Sequence, residues 1–282
     1  MAEILAWLLD GKLGRDKLAL LVLCTLAIPV LAAHVRERLC RLRALQRGTR
    51  GQTWVARWGS ESLRLLFCLG IPLGVLARGA LVREMGVPTT LVGEAQAGGA
   101  VPAWTWIRRV LAWLELTDAA SLARLSAGLA VGAAACALLV AVWVWYVRKV
   151  LATSNLRFDV SPAVPWWEAL RQALLAQFLW AFYRGFARLL VPNRAQAALL
   201  ALALISIPLA LHPQHRRDLL SSRGYRVVEE WLLALLTVLV SLATHQLWFL
   251  IAMHTLWVWV GRRALAHLSE RSLGEAEIAP VV

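Results

Sequence analysis

Long apolar runs recur along the chain, and a helix of roughly twenty such residues crosses the hydrocarbon core of a bilayer while satisfying its own backbone. Seven such segments are predicted, near residues 18–33, 63–82, 125–147, 166–190, 195–211, 231–244 and 247–260. The clearest is Leu125 to Val147, 23 uncharged residues between Arg124 and the pair Arg148 and Lys149. It ends in Trp143, Trp145 and Tyr146, the amphipathic aromatics that settle at a membrane boundary. The second run is interrupted by Arg78 and loosened by Gly70, Pro72 and Gly74. The sixth and seventh share 31 uncharged residues from Trp231 to Gly261, too long for one helix, so a tight hairpin turning near Thr244 to Gln246 is expected. Between the second and third runs, a tryptophan-rich stretch near 103–117, centred on Trp104, Trp106 and Trp113, is too short to cross. It reads as an amphipathic helix lying along the interface.

These elements give an all-α fold, a polytopic transmembrane helical bundle in a single domain over residues 1–282. The polar stretch from Arg36 to Arg64 is expected to be a loop, since it carries Gly51, Thr53, Gly59 and Ser60, and the tail after Arg271 is expected to fray. Lys12, Arg15 and Lys17 before the first run resemble the start of a signal peptide. The arginine-dense segment that follows points to a retained anchor instead.

Composition strengthens this picture. Hydrophobic residues make up 60% and charged residues 17% of the 282, where a soluble domain carries about 45–50% and about 25%. Lys and Arg exceed Asp and Glu by 13, but they flank the apolar runs, so anionic lipid headgroups rather than nucleic acid are the partner that the charge predicts. With seven crossings, one side of the membrane holds 19 of the basic residues and the other 11. The richer side is the cytoplasmic one, which puts the amino terminus outside and the carboxyl terminus in the cytoplasm of a multi-pass cell-membrane protein. Of the four cysteines, Cys24, Cys68 and Cys136 lie in apolar runs and Cys40 among arginines, with no CxxC, so they are read as reduced and structural. No cofactor and no metal site is implied.

Signatures of chemistry are sparse. HExxH, GxSxG, GxxxxGK[ST] and GxGxxG are all missing from the sequence. Any site must therefore be assembled from side chains on different helices. Ionisable groups at membrane depth are costly and each is a functional candidate. The fourth run carries most of them: Gln177, Arg184 and Arg188 fall within about 40° on a helical wheel, facing the bundle or a wet cavity. Glu168, Arg171 and Gln172 cluster on the opposite side. His254 sits in the middle of the seventh run, either bonded to a neighbouring helix or part of a polar site. His212 and His215 have i, i+3 spacing, a weak metal pair because Pro213 stands between them. Gly128 and Gly132 form a small-residue face on the third run, for internal packing or a homo-oligomer seam.

Three short motifs in order resemble the CPBP family, the CAAX-type intramembrane proteases and their bacteriocin-processing relatives. Phe182-Tyr-Arg184-Gly185 is similar to the end of that family's Glu-Glu-x-x-x-Arg motif. Pro208-Leu-Ala-Leu-His212 is similar to Phe-x-x-x-His, and His254-Thr-Leu-Trp-Val258 to His-x-x-x-Asn or Asp. The likeness covers roughly residues 177–263. It implies that Gln177, Arg184, His212 and His254 converge. Leu179 and Trp180 stand where the family has its paired glutamates, so the general base for peptide hydrolysis is missing. The resemblance thus implies a protein that keeps a membrane cavity without hydrolysis, binding a lipid, a hydrophobic peptide or a partner helix. The alternative is a structural or scaffold subunit of a larger membrane complex. An enzyme relying on Glu168, and a transporter, rank below these.

Overall fold

The computed structural model describes residues 14–44, 61–77, 81, 84–85, 119–153, 164–219, 224–244 and 246–278. These residues form helices joined by short turns, with no strand among them. Helix α1 (Arg15–Ala44) begins with Asp16 in its first turn, where a carboxylate complements the helix dipole. It runs eleven residues past the expected end at Ala33, through what was expected to be a loop from Arg36. Nothing between His34 and Ala44 is a glycine or proline, so nothing stops it. The glycines expected to open that loop, Gly51 and Gly59, lie outside the described residues, as does the amphipathic stretch near 103–117.

The second expected span does not form one regular helix. Residues 61–65 are helical, a π-turn follows at Leu66–Gly70, and α2 (Ile71–Ala77) completes the segment. Pro72 explains the widened turn: it has no N–H for the carbonyl of Cys68, and its ring crowds that oxygen. Beyond it, Leu81 adopts φ 59 and its carbonyl accepts the Met85 N–H at 2.8 Å.

The remaining helices are α3 (Ala119–Thr153), α4 (Trp166–Leu190), α5 (Arg194–Leu211), the short α6 (Pro213–Leu219), α7 (Gly224–Ala243) and α8 (Leu247–Ile278). Pro165 starts α4, and Val191-Pro192 ends it. Asn193 then caps α5, its side chain accepting the N–H groups of Ala195 and Gln196 at 2.9 and 3.2 Å. Helices α7 and α8 turn on residues 244–246, where the hairpin was expected. Helix α8 continues through Arg271 to Ile278, where the expected fraying tail carries the helix formers Leu273, Glu275, Ala276 and Glu277 and meets no proline before residue 280.

Three of these helices are long and apolar enough to cross a membrane: Arg15–Val35 in α1, Ser126–Tyr146 in α3, and Arg194–Leu211, the whole of α5. Seven were expected. Helices α4 and α7 carry too many charged or polar side chains to qualify, and the helical segment ending at Ala77 is too short. The core sits around α4, which packs most extensively on α8 and α5. Its face from Trp180 to Ala187 is buried without interruption. Helix α3 lies on α7. There a β-carbon on Gly128 would come within 3.1 Å of Thr244 Cβ, and one on Gly132 within 3.3 Å of Phe249 Cζ. Both glycines therefore serve the internal approach of α3 to the α7–α8 hairpin.

Candidate functional site

Helix α4 presents Gln177 to the interior, fully buried between α7 and α8. Its Nε2 donates to Thr237 Oγ1 at 2.9 Å and meets His254 Nδ1 at 3.0 Å. An amide that donates to both leaves Nδ1 as the acceptor and places the imidazole proton on Nε2. The His254 ring, 5% exposed, stacks on Trp180 with centroids 5.4 Å apart. Three helices are thus tied by neutral polar groups in an apolar surrounding. The Gln177 Oε1 has no partner. No described carboxylate bonds to Gln177 or His254, and the His254 Nδ1 lone pair is already taken up by the Gln177 amide.

Arg184 lies seven residues on from Gln177, two turns or about 10 Å along α4. It is 5% exposed, and its Nη1 is buried without a partner. Together with Arg188, Arg194, Ala197, Ala198, Ala201, Ser241 and Leu242 it lines a small open cleft whose interior has room for about one water. Arg188 donates to the carbonyls of Glu84 at 3.4 Å and Ser241 at 3.3 Å. The stripe Gln177, Arg184, Arg188 faces inward, but its members divide between two environments, a closed amide–imidazole contact and an open arginine pocket.

His212 belongs to a third place. It caps the C-terminal end of α5, and Pro213 starts α6 directly after it. Its ring lies 4.8 Å from that of His215, whose Nδ1 meets the Leu209 carbonyl at 3.1 Å and whose Nε2 stands 3.3 Å from Glu230. Burial, and after it the neighbouring His215, push the His212 imidazole down to about 4. Two histidines and one carboxylate on three elements do not assemble a metal site: no group of three potential ligands exists among the described residues. Of the four residues expected to converge, the structure joins Gln177 to His254, sets Arg184 two turns away, and lays the His212 ring beside His215, its Nδ1 buried without a hydrogen-bond partner.

Glu168, the other carboxylate considered as a base, is held at the opposite end of α4. Its two oxygens accept Arg171 Nε at 2.8 Å and Arg171 Nη2 at 2.7 Å, with Gln172 Nε2 at 3.0 Å and Glu61 beyond the arginine. Such a bidentate pair fixes the carboxylate as an acceptor.

Sequence reasoning did not find Thr237, Ser241 or Arg194. The signal was present for two of them, since Thr237 and Ser241 are the polar residues of the apolar second half of α7, at i, i+4 spacing, and so share a face. That face meets Gln177 and Arg188. No protein-family model, curated protein or solved structure matches this chain.

Proposed function

We propose that this chain is a multi-pass protein of the cell membrane that binds a membrane ligand and does not hydrolyse peptides. The ligand is a lipid, a hydrophobic peptide or a partner helix. In this reading the chain crosses seven times, with α4, α7, α8 and the segment ending at Ala77 completing the crossings of α1, α3 and α5. The amino terminus is outside and the carboxyl terminus cytoplasmic. The CPBP resemblance is retained as a likeness of motifs, carried by His254 and its contact with α4. The observation that supports a binding role is the neutral Gln177–His254 pair, buried and bonded to Thr237, with no carboxylate bonded to it among the described residues. A protease needs a base near neutral pKa within hydrogen-bond reach of its water. The scaffold alternative gains nothing from Gly128 and Gly132, which are spent on internal packing.

The test is reconstitution of the full chain in liposomes with a fluorogenic prenylated peptide. No turnover above that of empty liposomes is expected. Turnover abolished by Glu168→Gln would refute the reading and restore the enzyme. Labelling of single cysteines placed at residues 192 and 222 from each side of the membrane checks the topology, which puts these two positions on opposite faces.

A further inference from the structure

Buried cations need a counter-charge, and the pocket at the α4–α5 turn gathers arginines of which one, Arg184, is buried with a nitrogen that no acceptor meets. Three guanidiniums, of Arg184, Arg188 and Arg194, line it. Arg184 is nine-tenths buried with Nη1 unpartnered, a configuration that an apolar surrounding penalises strongly unless something supplies the acceptor. Arg188 has two backbone carbonyls and the carboxyl of Glu84 as electrostatic neighbour. Among the described residues no carboxylate lines the pocket itself. The alanines at 197, 198 and 201 leave the space on the α5 side, and Ser241 adds a polar wall from α7.

Its depth decides what the anion is. Helix α5 is 18 residues, about 27 Å, close to the thickness of a hydrocarbon core, so Arg194 at its start stands at a membrane boundary. Ala201 and Arg184 lie about 10 Å from the α4–α5 turn along their antiparallel helices, so the pocket spans the headgroup level and the first turns below it. Its rim includes Leu242, which is 41% exposed, an apolar edge suited to an acyl chain rather than to water. Guanidiniums grip phosphate oxygens in pairs, and phosphate is the anion that a lipid presents at this level.

We infer that the pocket of Arg184, Arg188 and Arg194 binds the phosphate of an anionic phospholipid, with Arg184 as the deep ligand, Arg194 at the mouth and the chains lying past Leu242. This rests on the membrane reading and names the ligand class it left open. A headgroup with its own cation, as in phosphatidylcholine, would meet three guanidiniums and is disfavoured.

The experiment uses the purified full chain in an uncharged detergent, titrated separately with phosphatidylglycerol, phosphatidylcholine and inorganic phosphate. The readouts are thermal midpoint and retained adducts in native mass spectrometry. Phosphatidylglycerol is expected to raise the midpoint and stay bound, while the other two do neither. Arg194→Gln is expected to weaken the phosphatidylglycerol response by about tenfold, the loss of one charge-assisted bond. Arg184→Met is expected to raise the midpoint of lipid-free protein and to abolish the lipid response, because it removes an unpaired buried charge; an arginine with a merely structural role would lower the midpoint. If that variant does not fold, the double variant R188Q/R194Q at the mouth carries the same expectation of a lost response. Equal responses to both lipids, or a response that survives these substitutions, overturn the inference. Inorganic phosphate as effective as phosphatidylglycerol overturns the lipid source. A chain that inserts into liposomes but ignores phosphatidylglycerol refutes this site alone, and one that alkaline carbonate strips from them refutes the membrane reading beneath it.

Discussion

The contact between Gln177 and His254 should behave as one unit in a double-mutant cycle. Replacing His254 with leucine removes the acceptor 3.0 Å from Gln177 Nε2 and the ring that stacks on Trp180. A buried donor left unmatched costs about 1–3 kcal/mol, and the lost stack about 0.5–1.5 kcal/mol. The single variant should therefore lose about 2–4 kcal/mol. Gln177→Met nearly conserves volume and also removes the unpartnered Oε1, so it should cost only about 1 kcal/mol. Thr237 can then turn to its own helix, as Thr255 already does by donating to the Ile251 carbonyl at 2.7 Å. In the double variant the donor that His254→Leu orphans no longer exists. The two losses should fall short of their sum by about 1 kcal/mol, within the range of interhelical hydrogen bonds in membranes, about 0.6 on average and about 1.7 at most. Reversible unfolding in mixed micelles, followed by tryptophan fluorescence, measures all four corners. Additivity within about 0.3–0.5 kcal/mol would refute the assigned contact, since that is how independent sites behave.

Two further outcomes follow from the described packing and charge. Gly128→Leu should destabilise the bundle by about 1–3 kcal/mol in the same unfolding assay, because its first added carbon already meets Thr244 Cβ at 3.1 Å; Gly128→Ala should be close to neutral, strain there being offset by helix propensity. His212, held down to about 4 by burial and by His215 against the opposing Asp218 and Glu37, binds its proton more weakly folded than unfolded, so its contribution is complete above about pH 6.5 and lost as pH falls through about 4. Half-exposed as it is, that contribution should be about 1–2 kcal/mol after solvent screening, and unfolding midpoints from pH 4 to 7 should rise less steeply in His212→Gln than in the parent chain.

The parts of this architecture that were legible beforehand are those fixed by local chemistry. Prolines at 165 and 192 bracket α4, and the 31 uncharged residues from Trp231 force a turn wherever polar residues gather, which is at 244–246. The inward stripe on α4 follows from helical geometry alone. What it faces does not: Gln177 and His254 are 77 positions apart, and no spacing rule joins them. His212 misled for a related reason. Its place in a motif-like order suggested company with His254, whereas Pro213 starts a new helix at that point and swings the chain to bring His215 beside it. The same limit applied to α1, whose arginines after Ala33 looked like the start of a loop but are helix formers with no breaker among them.

The disagreement between seven expected spans and three sufficiently apolar helices has a physical reading that bears on the site. The three apolar windows are the ones least enclosed by the protein, with 28%, 22% and 17% of their residues buried. In α4, which fails on apolarity, twelve of 25 residues are buried, among them Gln177 and Arg184. Hydropathy thus marks the helices that would meet lipid and passes over the one that other helices surround. An arginine at Leu138, 65% exposed near the middle of α3, would face hydrocarbon and cost about 2.5–3.5 kcal/mol for insertion. Arg184 avoids that by facing protein, and incurs instead the cost of a cation with an unpartnered Nη1. A polar central helix is compatible with such a bundle because the outer, apolar helices enclose it, so α4 can carry Gln177 and Arg184 inside the protein rather than toward lipid.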